Sequence, residues 1–144
     1  MVAAPDRAMM APIEKIARFI VTGDAKCLDA FADGEVVILE NFAPHLFVGP
    51  AAVAEWATAM GEHAKHLTAL AHSFGPAQDF ASNDERAFFS LPTRWSGRAN
   101  GAAFEEDGGW AFLLLRQMGE WRVQSYGWAV TRFSILNRGP RHGC

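Results

Sequence analysis

The stretch "GGWAFLLLRQMGEWRVQSYGW", residues 108–128, decides the fold. It carries Trp110, Trp121 and Trp128, three of the chain's five tryptophans, and the apolar run Trp110–Leu115. That run is far short of the roughly 18 residues a bilayer span requires. "MGE" at 118–120 interrupts two apolar segments with a turn signal, so the stretch reads as a β-hairpin. Period two places Trp110, Phe112, Leu114 and Arg116 on one face, with Ala111, Leu113, Leu115 and Gln117 on the other. Both faces are apolar in the middle and both need covering, one by helices over a pocket and the other by a partner subunit or a tail. The same count sets Trp121 and Trp128 on opposite faces.

Before the hairpin lie other strands. "RAFFSLPTRWSG" (86–97) is long and apolar, with Pro92 at a bulge or edge position, and Asn100–Gly101 is a hairpin turn signal. "HLTALAHSF" (66–74) precedes it, ended by Gly75–Pro76. "EVVILEN" (35–41) is the first strand, and Leu46–Val48 forms a short one. Helices come earlier. Pro12 reads as a first helical residue, followed by Ile13, Ile16, Ala17 and Ile20 at helical spacing until Gly23. Asp24 caps a short second helix, and Pro50 opens a third with Val53, Trp56, Ala57, Met60 and Ala64 on its apolar side. Helices followed by long antiparallel strands imply one α+β domain over residues 12–135, with a loose lead (1–11) and a flexible tail (136–144). A bulged sheet curves, and helices closed over it make a cone with a pocket.

The composition sets limits. Among 144 residues, half are hydrophobic and a fifth charged, with a net charge of −3. A nucleic-acid binder would carry a basic face, so none is expected. Cys27 and Cys144 read as free thiols, which suits a cytoplasmic setting without a zinc or redox pair. The first residues lack a secretory apolar core, and no membrane span is predicted. No glycine loop is placed to hold phosphate and no nucleophile elbow occurs, so no cofactor is expected.

The segments "TGDAKCLDAFADGEVVILEN" (22–41) and "FVGPAAVAEWATAM" (47–60), together with the terminal hairpin, resemble the NTF2-like superfamily, which includes SnoaL-like polyketide cyclases and ketosteroid isomerases. The resemblance spans residues 12–133. It implies a cone of N-terminal helices on a curved antiparallel or mixed sheet, and it is a likeness of structure more than of function. In the isomerase branch an acid on the first strand is the general base, seventeen residues after the helix-ending Gly and nine before the Gly of the next helix. Counted from Gly23 and from Gly49, both spacings reach Glu40. The pocket aromatic of that branch falls on Trp56. Its oxyanion donors fall near Ile16 and within Ala111–Leu113, where no side chain can donate, so steroid isomerisation is not expected. The cyclase branch uses an acid on the later strands, where Glu105, Glu106 and Asp107 stand.

The candidate proton carriers are Glu40, His72 and His45; the candidate pocket residues are Ile16, Trp56, Met60, Trp110 and Phe112. Glu40 ends an apolar strand, and apolar surroundings raise a carboxyl pKa toward values useful for proton transfer; the competing reading is a strand reaching solvent. His72, beside Leu70 and Phe74 on one strand face, is a structural or a titrating histidine. His45 belongs to the loop after the first strand, near the pocket mouth. "FEEDGGW" reads as a solvated bulge, and His63 and His66 as an exposed helix terminus. The functional expectation is a pocket for a small, largely apolar ligand, with isomerase, dehydratase or cyclase chemistry. The alternatives are a non-catalytic binding or dimerising module, or a transport adaptor. A homodimer through the sheet is expected.

Overall fold

The computed structural model describes residues 3–136. Apart from Leu136, the predicted tail, with Cys144, lies outside the described residues. Helix α1 spans Arg7–Thr22, a 3₁₀ helix Ala25–Ala30, and α2 Ala52–Ala64. The strands are β1 Val36–Leu39, β2 Leu46–Gly49, β3 Leu67–Phe74, β4 Gln78–Ser82, β5 Arg86–Ala99, β6 Ala102–Gln117 and β7 Glu120–Ile135. The order across the sheet is β2-β1-β7-β6-β5-β3, with β4 also pairing β5. β1 runs parallel to β7 and every other pair is antiparallel. The sheet is mixed, curved and unclosed. α1 packs on β7 and β3, and α2 on β1 and β2.

Helix α1 begins at Arg7, five residues before Pro12, which corrects the extent expected for the N-terminal lead. Asp6 is the cap: its Oδ1 accepts the Met9 N–H at 3.0 Å, as N-cap acids do. Met9 is buried and extends the stripe of Ile13 and Ile16 by one turn, and this burial holds the extra turn although Pro12 cannot donate from inside it. Gly23 ends the helix at φ 72°, and its N–H reaches the Phe19 carbonyl. The short second helix is a 3₁₀ turn capped by Asp24. Gln78–Ser82, unassigned in the sequence reading, forms β4.

Pro92 occupies the point where β3 gives way to β4 along β5. Its carbonyl accepts the Gly75 N–H at 2.7 Å, and the proline nitrogen lies on the same interrupted side, where a missing donor costs little. Asn100–Gly101 and Met118–Gly119 both have positive φ at the two central positions, the geometry that suits two-residue hairpins.

The terminal hairpin corrects one expectation. Its register shifts between Leu113 and Leu114, so that Leu114 faces Val123 while Phe112 faces Tyr126 and Trp110 faces Trp128. The extra residue in β7, Gln124, is a bulge that inverts the side-chain alternation beyond it. Trp121 and Trp128 therefore lie on the same, inward face. Trp121 packs under the Arg116 guanidinium, 4.7 Å from the ring centroid, while Trp128 reaches the interior cavity.

Candidate active site

Period two along β1 turns Val36 and Ile38 inward, and Glu40 follows them just past the strand's end. Ile38 pairs with Tyr126 on β7, so the only tyrosine of the chain stands beside the acid. Trp56 comes down from α2 and is fully buried. The Trp56 indole donates to Glu40 Oε2 at 2.9 Å, and the Tyr126 hydroxyl donates to the same oxygen. Behind them Trp56, Phe31 and Tyr126 form a ring cluster, with Trp56 and Tyr126 edge to face at 6.0 Å.

Glu40 is 7% exposed. Burial raises its pKa from 4.5 to about 7, against the pull of Tyr126, Trp56 and the Asn41 backbone N–H, and the charge of Glu106 adds to the rise. Burial and the neighbouring carboxylate push the Tyr126 phenol well above its usual value, so it stays a donor.

Glu40 opens on a cavity of about 240 Å³. Its wall is mainly aromatic and aliphatic: Phe42, Met60, Trp95, Trp110, Trp128 and Phe133 stand among the lining residues. The other ionisable groups on the wall are Glu106 and His63. Glu106 follows the inward alternation of Phe104, Gly108 and Trp110 along β6. Burial raises its pKa, and Trp128, lying near its carboxyl, opposes the rise. Glu105 and Asp107 turn outward, where Arg94 holds Asp107 through a 2.7 Å Nε contact and Arg132 joins at 3.1 Å. At "FEEDGGW" the register against β7 shifts between Asp107 and Gly108, as at a bulge, but the segment is strand throughout and one acid turns inward. His63 is exposed in the last turn of α2, as expected; its ring also stacks on Phe42 at 4.5 Å and lines the cavity, and partial burial lowers its pKa.

The fold has counterparts among solved structures. A type 2 hexachlorocyclohexane dehydrochlorinase (LinA) superposes with a TM-score of 0.77 at 8% identity, covering 94% of this chain and 91% of that one. The Kfla4162 protein from Kribbella flavida gives 0.74 at 11%, covering 88% and 90%. A ketosteroid isomerase-like protein from Erwinia carotovora atroseptica gives 0.68 at 16%, covering 87% and 95%. The chain has the NTF2-like fold. At these identities the likeness is one of fold. Neither a protein-family model nor a curated protein matches the sequence.

Within the NTF2-like cone the proposed residues separate into three groups. Glu40, Met60 and Trp110 line the cavity. Trp56 stands behind Glu40 as its hydrogen-bond donor rather than on the wall. Ile16 and Phe112 are fully buried in the core and outside the lining; as apolar residues on the inward face they are consumed by helix–sheet packing. The histidines also stand apart from the acid's carboxyl. His45 is exposed at φ 74°, and its Nδ1 contacts the Glu40 backbone carbonyl at 3.0 Å, so it fixes the loop that aims Glu40. His72 is exposed and packs on Phe74 and Trp95, each at 5.0 Å; it stands opposite Trp95 across the strands, on the same sheet face, and outside the cavity lining. Ile16 and the segment Ala111–Leu113, where the resemblance would put the isomerase oxyanion donors, carry no side-chain donor.

Sequence reasoning missed Tyr126, Trp128 and His63, and did not separate Glu106 from Glu105 and Asp107. Glu106 was readable by parity from Trp110. Tyr126 and Trp128 were hidden by the bulge at Gln124, which leaves no mark in composition.

Proposed function

We propose that this chain is a cofactor-independent isomerase or lyase that moves a proton on a small, largely apolar molecule, with Glu40 as the proton carrier. The observation that carries the reading is a cavity-facing carboxyl with a pKa near 7, held by Trp56 and Tyr126. A base poised near the working pH is what proton abstraction from carbon requires. Ionised Glu40 takes a proton from a carbon next to an electron-withdrawing group, and the C–H electron pair moves into a new double bond. In isomerisation the protonated carboxyl returns the proton to a second carbon. In elimination the neighbouring group leaves with its electron pair, and Glu40 gives its proton to solvent. The dehydrochlorinase and the isomerase-like protein among the similar structures support these two arms.

The Trp110 indole N–H is buried without a protein partner among the described residues, and Trp110 lines the cavity. It is our candidate donor to a substrate oxygen, in place of the missing isomerase donors. Steroid isomerisation itself is not part of the proposal.

The test is hydrogen–deuterium exchange at activated carbons. A panel of apolar ketones and nitroalkanes in D₂O is followed by NMR. The wild type is expected to accelerate exchange on at least one member, with a rate that rises with pH through about 7. Glu40→Gln is expected to lose about 100-fold or more. Binding without exchange across the panel would instead favour a non-catalytic ligand-binding module. That second reading draws on one observation, that both side-chain donors near Glu40 are spent on its own carboxylate.

We also propose a homodimer through the outer sheet face, where Phe88 is 42% exposed beside its cross-strand partner Leu113. Native mass spectrometry tests it; a monomer at micromolar concentration would contradict it. No helix among the described residues is long and apolar enough to cross a membrane. The buried free thiol of Cys27 supports a cytoplasmic setting.

A further inference from the structure

The walls of the cavity carry two carboxyls and one histidine, Glu40, Glu106 and His63, and among the described lining residues there is no lysine or arginine. A carboxylate or phosphate ligand would be desolvated beside two acids with no cation to receive it. The surroundings of Glu106 point the other way. On the sheet its neighbours across the strands are Trp95 on β5 and Phe133 on β7, and Trp128 lies near enough to its carboxyl to lower its pKa. All three rings line the cavity. Phe133 is backed by Phe104, stacked at 5.9 Å and 22°. Trp110 continues the aromatic wall, 6.2 Å from Trp95 and 5.9 Å from Trp128. A carboxylate framed by aromatic rings is an arrangement that can receive an organic cation, since ring quadrupoles and the negative charge act together on it.

We propose that the cavity selects small apolar molecules bearing a protonated nitrogen, with the cationic head against Glu106 and its frame of Trp95, Trp128 and Phe133. This deepens the reading of the cavity as a ligand site, and it does not depend on proton transfer by Glu40.

The test uses three soluble probes with one apolar body: 4-phenylbutylamine, 4-phenyl-1-butanol and 4-phenylbutanoate, titrated by calorimetry against the full chain near neutral pH. The amine is expected to bind roughly tenfold tighter than the alcohol, the scale of a desolvated cation–π contact with ionic support, and the carboxylate not to bind measurably. Glu106→Gln is expected to abolish the preference for the amine while keeping alcohol binding. Equal or tighter binding of the alcohol or carboxylate by the wild type overturns the proposal without any variant, and so does failure of all three probes to bind. A preference for the amine that survives in Glu106→Gln overturns it too. The proton-transfer reading fails separately: deuterium exchange absent from the wild type while the amine preference stands would sink the enzyme and leave this selectivity intact.

Discussion

Tyr126 and Glu40, on neighbouring strands, share a buried hydrogen bond in which the phenol donates to Oε2, the oxygen that the Trp56 indole also reaches at 2.9 Å. The strand pairing of Ile38 with Tyr126 makes this meeting a consequence of sheet register. The two donors favour the ionised carboxylate, yet burial outweighs them and the pKa stands near 7. The fold therefore stores an acid that it would hold more stably as a neutral group, an arrangement characteristic of functional sites.

The first prediction concerns stability against pH. The folded carboxyl has a pKa near 7, above its ordinary 4.5. Between those values the folded chain keeps a proton that the unfolded chain has released. Stability from this group is thus present below pH 4.5 and lost as the pH rises to about 7, by roughly 3 kcal/mol in total. Glu40→Gln removes that dependence. The melting temperature of the variant, relative to the wild type, is expected to climb from pH 5 to pH 8. Comparing the two proteins cancels the contributions of His63 and His72, which are not among the causes of the Glu40 shift. A difference that stays constant with pH would contradict the raised pKa.

Tyr126→Phe tests the donor itself. The hydroxyl lowers the Glu40 pKa, so its removal is expected to move the carboxyl titration further up. Carbon-13 NMR of labelled glutamate side chains reads this directly. Deuterium exchange at neutral pH is expected to slow, because less of the base is ionised, and to recover at higher pH. A downward or absent shift would mean that the bond to Tyr126 does not act on the carboxylate.

Much of the fold was legible because its signals are local. Gly23, Asp24, Asn100–Gly101 and "MGE" are backbone punctuation, and each stands where the chain turns. Glu40 was legible through its spacings from Gly23 and Gly49, which the family resemblance supplies, and the parity of Val36 and Ile38 turns it inward in the structure. The remaining site residues were obscured by non-local causes. One bulged residue, Gln124, moves Tyr126 and Trp128 from the outer to the inner face. His63 sits in the polar run "EHAKH" and is exposed as that run implies; only the position of Phe42 shows that one face of its ring is stacked at the cavity. Glu106 has charged neighbours whose own charges are taken up by Arg94 and Arg132 on the opposite face, which the bare sequence does not separate. Ile16 and Phe112 erred in the other direction: inward-facing apolar residues go to core packing as readily as to a cavity wall.

His72→Ala separates a wall support from a proton carrier. The ring contacts Trp95 and Phe74 but lies outside the cavity. Any effect on exchange is expected to stay within about threefold, against the hundredfold or more for a group that carries the proton. The Glu40 titration is expected not to move. A loss comparable with Glu40→Gln would return His72 to the chemistry.

The two glycines that open the terminal hairpin make a paired test. A Cβ on Gly108 would stand 2.5 Å from the Ala129 carbonyl oxygen and 2.5 Å from the Trp128 ring, whereas one on Gly109 would meet nothing within 4 Å. Gly108 is inward and buried, so its missing side chain is the space in which Trp128 lies along the cavity. The contact with the Ala129 carbonyl is with backbone and cannot be relieved by a rotamer change. Gly108→Ala is expected to cost about 1–3 kcal/mol, as overpacked interiors do, and to shift the tryptophan fluorescence as Trp128 is displaced. Gly109→Ala is expected to leave stability within about 0.5 kcal/mol of the wild type. Chemical denaturation of the two variants side by side is the measurement. Equal midpoints would mean that Trp128 does not depend on Gly108 for its place, and that the close approach of β7 to β6 at this point is not what shapes the cavity wall.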